Sequence, residues 1–242
     1  MISVNKVSEI TDYQHYKGEP IHVHSIGTVH QIKIKDYDKF EELHGWLLFE
    51  KEDFNIESEN HTLFELICAS CTQNATLAQN VEELIKLVMK VDEIDVLIDH
   101  VGSAITYKGG TLHSGNYETF RELVLKQAVV HKEPRYKNEH MKKWFEMKKQ
   151  LWAKEKKNDI DLIAKFTTIT TFSGRSMDDL MDYTILQFEF EFDRVNRIIL
   201  FERNSHVIGH GDVPSSHFAE KFDIFRNPYD DWFRKESDVN IL

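Results

Sequence analysis

The sequence predicts a mainly α protein, a helical bundle that carries one or two small β-hairpins. Apolar residues recur at helical spacing in successive windows between Asp36 and Asn204, the pattern of helices that bury one face. Strand-like alternation is confined to two short stretches, near 21–34 and 101–113, and each is marked by glycine. No apolar run approaches the roughly 18 residues that a spanning helix needs, so the 41% of hydrophobic residues belong to a core.

The elements follow in order. The stretch up to Pro20 mixes polar and aromatic residues without a period and reads as an arm. In "IHVHSIGTVHQ", Ile21, Val23, Ile26 and Val29, continued by Ile32 and Ile34, suggest two strands around a turn at Gly27. "DYDKFEELHGWLLFEKEDF" then places Phe40, Leu43, Leu47 and Phe54 at helical spacing, with Asp36 or Asp38 available as a cap. "NHTLFELICASC" puts Leu63, Phe64, Ile67, Cys68 and Cys71 on one face, and "VEELIKLVMKV" adds Val81, Leu84, Ile85 and Val88. The second hairpin, "VGSAITYKGGTLH", turns at Gly109-Gly110.

Asn116 is positioned to cap the helix "YETFRELVLKQAVVH", whose face is Phe120, Leu123, Val124 and Gln127 and which must end before Pro134. A lysine-rich helix follows, with Met141, Trp144, Phe145, Leu151 and Trp152 read as one apolar stripe covered by lysine stems. "DIDLIAKFTTITTFSG" is a helix stopped by Gly174, and Ser176 with Asp179 starts a short one. Phe188, Phe190 and Phe192 alternate as in a strand, but Thr184 and Gln187 form a T-x-x-Q capping box. Ile185, Phe188, Phe192, Val195 and Ile199 continue a helical stripe, so the segment is predicted helical. Residues 1–115 are thus expected to hold a hairpin plus helices, 116–204 a helical region with the basic helix, and 205–242 a loop and docking tail.

The net charge of −11 argues against a nucleic-acid or membrane partner for the molecule as a whole. Between Lys126 and Lys157, however, eleven Lys or Arg face four Glu, a basic segment in an acidic chain. It reads as a solvated helix face with no partner; otherwise an acidic protein partner, or the chain's own acidic faces, would match it. Two cysteines, and an N-terminus without the apolar middle of a signal peptide, predict reduced thiols and a cytoplasmic location.

Chemistry-bearing groups are sparse. Cys68 and Cys71 form a C-x-x-C pair, but no second pair completes a four-ligand zinc site and both fall late in an apolar helix face, so they read as core. His22 and His24, at i and i+2 on a strand, share a face; with His30 they could ligate a metal and serve a metal-dependent hydrolase. Surface imidazoles on a hairpin explain the same pattern without metal. His206, His210 and Asp212 form a second loose group, while Asp178-Asp179 and Asp230-Asp231 read as cap or solvated carboxylates. There is no G-x-S-x-G, and "KGGTLHSG" lacks the order of a phosphate loop. No catalytic residue, cofactor or metal site is assigned. Near the C-terminus Phe218, Phe222 and Phe225 stand at helical spacing before Tyr229, Trp232 and Phe233, and these six are the candidate partner-binding anchors.

Three pieces of the second half carry a resemblance. Tyr117, Phe120, Arg121 and Gln127 fit a Y-x-x-F-R-x-x-x-x-x-Q helix. Ser173, Gly174, Asp179 and Leu180 fit an S-G-x-S-x-x-D-L turn, and Thr184, Gln187, Phe188, Arg194, Asn196 and Arg197 fit a T-x-x-Q-F-x-x-x-F-x-R-V-N-R-I helix. In these the chain resembles proteins from the tail gene clusters of large contractile-tailed bacteriophages. The resemblance implies a non-enzymatic tail or baseplate assembly factor, of the kind described as tail assembly chaperones. It would act in the cytoplasm of the infected host on a helical partner such as a tape-measure or hub protein. A structural component retained in the virion is the first alternative, the hydrolase a second, and an inhibitor of host defence a third. No catalytic residues come with the resemblance.

Overall fold

The structure, a computed structural model, describes residues 12–54, 61–99, 102–133, 139–155, 161–205 and 224–226. In chain order the elements are α1 (Asp12–Tyr16), β1 (Ile21–Val23), β2 (Gly27–Val29), α2 (Tyr37–Leu43), α3 (Leu63–Gln73), α4 (Ala75–Met89), β3 (Ile94–Asp99), β4 (Gly102–Tyr107), β5 (Gly110–His113), α5 (Tyr117–Gln127), α6 (Glu139–Glu155), α7 (Leu162–Ser173), α8 (Met177–Met181) and α9 (Ile185–Ser205). The protein is mainly α with two small antiparallel sheets, one of two strands and one of three in the order β3-β4-β5. Its contacts divide the chain into two units, Met1–Val130 with Asp178–Phe190, and His131–Met177 with Glu191–Leu242. Among the described residues no helix is long and apolar enough to cross a membrane.

In the first unit, β1 and β2 pair with Ile21 opposite Val29 and Val23 opposite Gly27. Ile21, Val23 and Val29 are buried, while His22 and Thr28 are half-buried on the other face, as period-2 alternation requires. The strand run ends at Val29, short of the Ile34 that alternation suggested. Beyond it the backbone finds other partners: the Ile34 amide donates to the Tyr183 carbonyl at 2.9 Å and the Ile185 amide to the Ile32 carbonyl at 3.0 Å. Backbone donors and acceptors need partners, and here a segment remote in sequence supplies them.

The expected single helix over 36–54 is instead α2 followed by two 3-10 turns, His44–Leu48 and Lys51–Asp53. Arg121 explains part of the change. Its guanidinium takes the Leu47 and Phe49 carbonyls at 2.6 Å each, so these acceptors are committed to a side chain rather than to a continuing helix. Asp36 stands at the cap position of α2 but its side chain makes no cap bond. The next helices are capped by rule. Thr62 and Glu65 form a reciprocal capping box at the start of α3, and Asn74 accepts the Leu77 amide at 3.0 Å to start α4. Leu63, Phe64, Ile67 and Cys68 of α3 and Val81, Leu84, Ile85 and Val88 of α4 are buried, whereas Cys71 is only half-buried.

The second hairpin exists as β4 and β5, but β3 adds a third strand that the sequence reading did not include. There Val96, Leu97 and Ile98 form a short apolar run between Asp95 and Asp99 rather than a clean alternation. The two glycine-marked turns meet. The Tyr107 hydroxyl donates to the Ile26 carbonyl at 2.8 Å and the Thr111 amide to the Ser25 carbonyl at 3.0 Å. A Cβ on Gly110 would lie 2.0 Å from the Ile26 oxygen, so only glycine permits this approach. Gly27, at φ +98°, opens β2 rather than forming the turn; Ser25 takes the left-handed turn position at φ +66°.

Asn116, expected as a cap, does not cap α5. Its amide nitrogen donates to the Thr111 carbonyl at 2.8 Å and the Ser25 hydroxyl at 3.1 Å, and its oxygen accepts the His113 amide at 2.9 Å. It fastens the two turns instead. Behind it, Tyr117 and Phe120 stack on Trp46 with ring centroids 5.9 and 6.5 Å away, and Phe64 meets Tyr117 at 5.3 Å. The T-x-x-Q box of α9 forms as expected: the Gln187 amide donates to the Thr184 hydroxyl at 3.2 Å and the Thr184 amide to the Gln187 side-chain oxygen at 3.0 Å. Phe188 and Phe192 are therefore helical and buried.

In the second unit, Asp161 caps α7 by accepting the Ala164 amide at 2.6 Å, and Gly174 ends it at φ +69° as expected. Its buried apolar side chains among the described residues are Phe145, Phe166, Ile169, Phe192 and Val195.

Candidate functional site

Most of the residues that carry the resemblance serve the fold. Tyr117, Phe120, Arg121 and Gln127 are all buried on α5. Arg121 is 1% exposed and, besides the two carbonyls, reaches Glu50 at 2.6 Å and Glu118 at 3.2 Å. A buried guanidinium persists only when its donors are used, and here two backbone carbonyls and two carboxylates use them. Gly174 stops a helix, Leu180 is buried, and Thr184 and Gln187 start α9. These positions hold the fold.

The three N-terminal histidines do not converge. His22 Nδ1 lies 3.3 Å from the Thr28 hydroxyl across the ladder, His24 is exposed in the turn, and His30 is half-buried with its amide donating to the Val88 carbonyl at 2.7 Å. Burial, with Lys90 nearby, pushes the His30 imidazole below its ordinary 6.5. Among the described residues no three His, Cys, Asp or Glu side chains stand together as a metal site. The hydrolase alternative thus finds no ligand set in the histidines it named. His206, His210 and Asp212 lie outside the described residues.

Both cysteines are free. Burial, with Cys71 adding to it against a Ser103 hydrogen bond, pushes the Cys68 thiol up to about 12, and burial raises Cys71 as well. Neither is a thiolate near neutrality, so the pair is placed for packing rather than for exchange chemistry. Asp178 and Asp179 are exposed in the first turn of α8. A shallow recess between the β1–β2 turn and the start of α5 is lined by His24, Ser25, Asn116 and Thr119 among others. The Asn116 amide and the Ser25 hydroxyl bond each other there.

Of the six candidate anchors, Phe225 is half-buried in a turn at 224–226. Phe218, Phe222, Tyr229, Trp232 and Phe233 lie outside the described residues, as do Asp230 and Asp231.

What the structure does present is α6. Of the stripe expected at Met141, Trp144, Phe145, Leu151 and Trp152 under lysine stems, only Phe145 is buried among the described side chains, while Met141, Trp144 and Leu151 are 44, 39 and 52% exposed. Met147, not included in that stripe, is 54% exposed beside them. Trp152's side chain lies outside the described ones. Met141, Trp144, Met147 and Leu151 fall at i, i+3, i+6 and i+10, within about a third of the helix circumference at 3.6 residues per turn. Lys148 lies over the Trp144 ring, 4.8 Å from its centroid, as the lysine-covering expectation requires at that one position. Lys149 pairs with Glu133. Helical spacing revealed a shared face, but only Phe145 of that set turned inward.

No family model, no curated protein and no solved structure matches the chain.

Proposed function

We propose that the protein is a non-enzymatic assembly factor of a contractile phage tail or baseplate, one that holds a helical segment of a tape-measure or hub protein before it is built in. The observation that carries this reading is the set of apolar side chains left exposed in the second unit: Met141, Trp144, Met147 and Leu151 along one face of α6, with Ile163 and Phe172 of α7 and Leu200 of α9 exposed as well. Exposed apolar helix faces suit a protein whose partner is another apolar helix. The resemblance of the second half to tail-cluster proteins supports the same reading.

The test is made in infected cells. Removing the gene should leave particles without completed tails, and mass spectrometry of purified virions should find the protein absent or far below structural stoichiometry. Many copies in the finished particle would instead make it the retained structural component, and normal tails without the gene would end the assembly reading altogether.

A further inference from the structure

Resting on that assembly reading, we infer that the exposed face of α6 is a docking surface for an acidic amphipathic helix of a partner protein. The face is a stripe about 15 Å long, the rise of the helix from Met141 to Leu151 at about 1.5 Å per residue. Two of its four apolar side chains are methionines, whose unbranched thioethers adapt to another helix's ridges. A helix laid along it would contact Met141, Trp144, Met147 and Leu151 through its own i, i+3, i+4 and i+7 positions.

Charge selects the partner. Between His140 and Leu151 four lysines face one glutamate, within a basic segment of an otherwise acidic chain. Lys149 is paired with Glu133 and Lys148 sits over Trp144, but Lys142 and Lys143 are exposed and have no acidic partner among the described residues. Lys143 borders the stripe beside Met147, and Lys148 falls within it between Met141 and Trp144, so glutamates along a docked helix would meet positive charge at the edge and at the ring. An isologous pairing of two α6 helices would set lysine against lysine, which disfavours a second copy. The net charge of −11 likewise sets the rest of the molecule against an anionic bilayer or nucleic acid.

The experiment uses the full chain and two fluorescent synthetic helices with the same leucine pattern, one with glutamates and one with lysines at the remaining positions. The wild type should bind the glutamate peptide at least tenfold more tightly than the lysine peptide, and more weakly as salt rises. Met147→Glu with Leu151→Glu should weaken the glutamate peptide at least tenfold with helicity and melting unchanged. Lys143→Glu with Lys148→Glu, which leaves the apolar stripe intact, should reverse the preference. Equal binding of both peptides, or none, overturns the proposal. So does a face used otherwise. Binding to phosphatidylglycerol vesicles that the same substitutions abolish would make it a membrane surface, a dimer they dissociate would make it a self-interface, and a face that binds only after removal of 228–242 would make the chain's own tail its occupant. If the charge-reversed protein still builds tails while gene removal does not, the docking proposal falls and the assembly reading stands. If peptide selectivity holds but tails form without the gene, the reverse is true.

Discussion

Helices α5 and α6 follow one another in sequence and carry similar periodic apolar residues, yet they meet opposite fates. On α5, Tyr117, Phe120, Leu123, Val124 and Leu125 are buried together with the polar Arg121 and Gln127. On α6, Phe145 alone is buried among the described side chains while four large apolar residues remain in solvent. The first helix is packed into its unit's core, and the second lies in a unit that leaves apolar side chains of α6, α7 and α9 in solvent. Periodicity reports which residues share a face. It does not report what covers that face, because coverage depends on elements distant in the chain.

The contrast can be broken hardest at Arg121. Replacing it with Ala would strip the Leu47 and Phe49 carbonyls of their donor and leave Glu50 and Glu118 without their cation. Removing one partner of such a buried charged network costs about 3–5 kcal/mol, and urea denaturation followed by far-UV circular dichroism would measure it. A loss below about 1 kcal/mol would show that the clamp does not hold the first unit. Next comes Gly110→Ala, whose Cβ would press to 2.0 Å from the Ile26 oxygen. The neighbour is backbone and can yield only by moving a turn, so a loss of about 1–3 kcal/mol is expected by analogy with overpacking, read from the urea midpoint.

How much was legible divides along the same line. The hairpins at Gly27 and Gly109-Gly110, the Gly174 stop and the Thr184–Gln187 box were readable because each depends on residues a few positions apart. Asp36 and Asn116 looked like caps, but cap chemistry competes with tertiary partners, and Asn116 serves two turns, one of them more than ninety positions earlier in the chain. The break of the 36–54 helix was hidden for a similar reason, since Arg121 lies more than seventy residues away. The α6 stripe was visible, but its exposure was not. As for the three histidines, strand spacing placed His22 and His24 on one face, but β1 ends at Val23 and the chain turns at Ser25, which leaves His24 in the turn.

A smaller effect, of opposite sign, is expected inside the covered unit. Gln127 is 2% exposed and, among the described residues, both of its side-chain amide atoms lack a hydrogen-bond partner. Gln127→Met keeps the shape and removes the unpaired groups, so it should stabilise the protein by about 1 kcal/mol, whereas a loss in the same denaturation experiment would mean the amide is satisfied in solution. Smaller again is a pH effect at His30, because its ring is only partly buried. Its folded-state pKa lies below the unfolded 6.5, so the fold favours the neutral ring. That contribution is complete above about pH 6.5 and is lost as the pH falls through the depressed folded value. The difference in urea midpoint between pH 7.5 and pH 5.5 should therefore shrink in His30→Asn, and an unchanged difference would assign the pH dependence elsewhere.

The smallest expected stability effect is also the sharpest test of the comparison. Met147 and Leu151 are about half exposed, so Met147→Glu and Leu151→Glu remove little buried area and should change stability by no more than about 0.5 kcal/mol each. The equivalent change on α5, Leu123→Glu, places a carboxylate at a side chain that is 0% exposed and should prevent stable folding of the first unit. Should the α6 variants melt like the α5 variant, the apolar stripe would be covered in solution and the openness of the second unit would not exist. Should they melt like the wild type while a bound helix is lost, exposed methionine and leucine on a surface helix have a use that stability does not register, which is what separates a binding face from a core face built with the same periodicity.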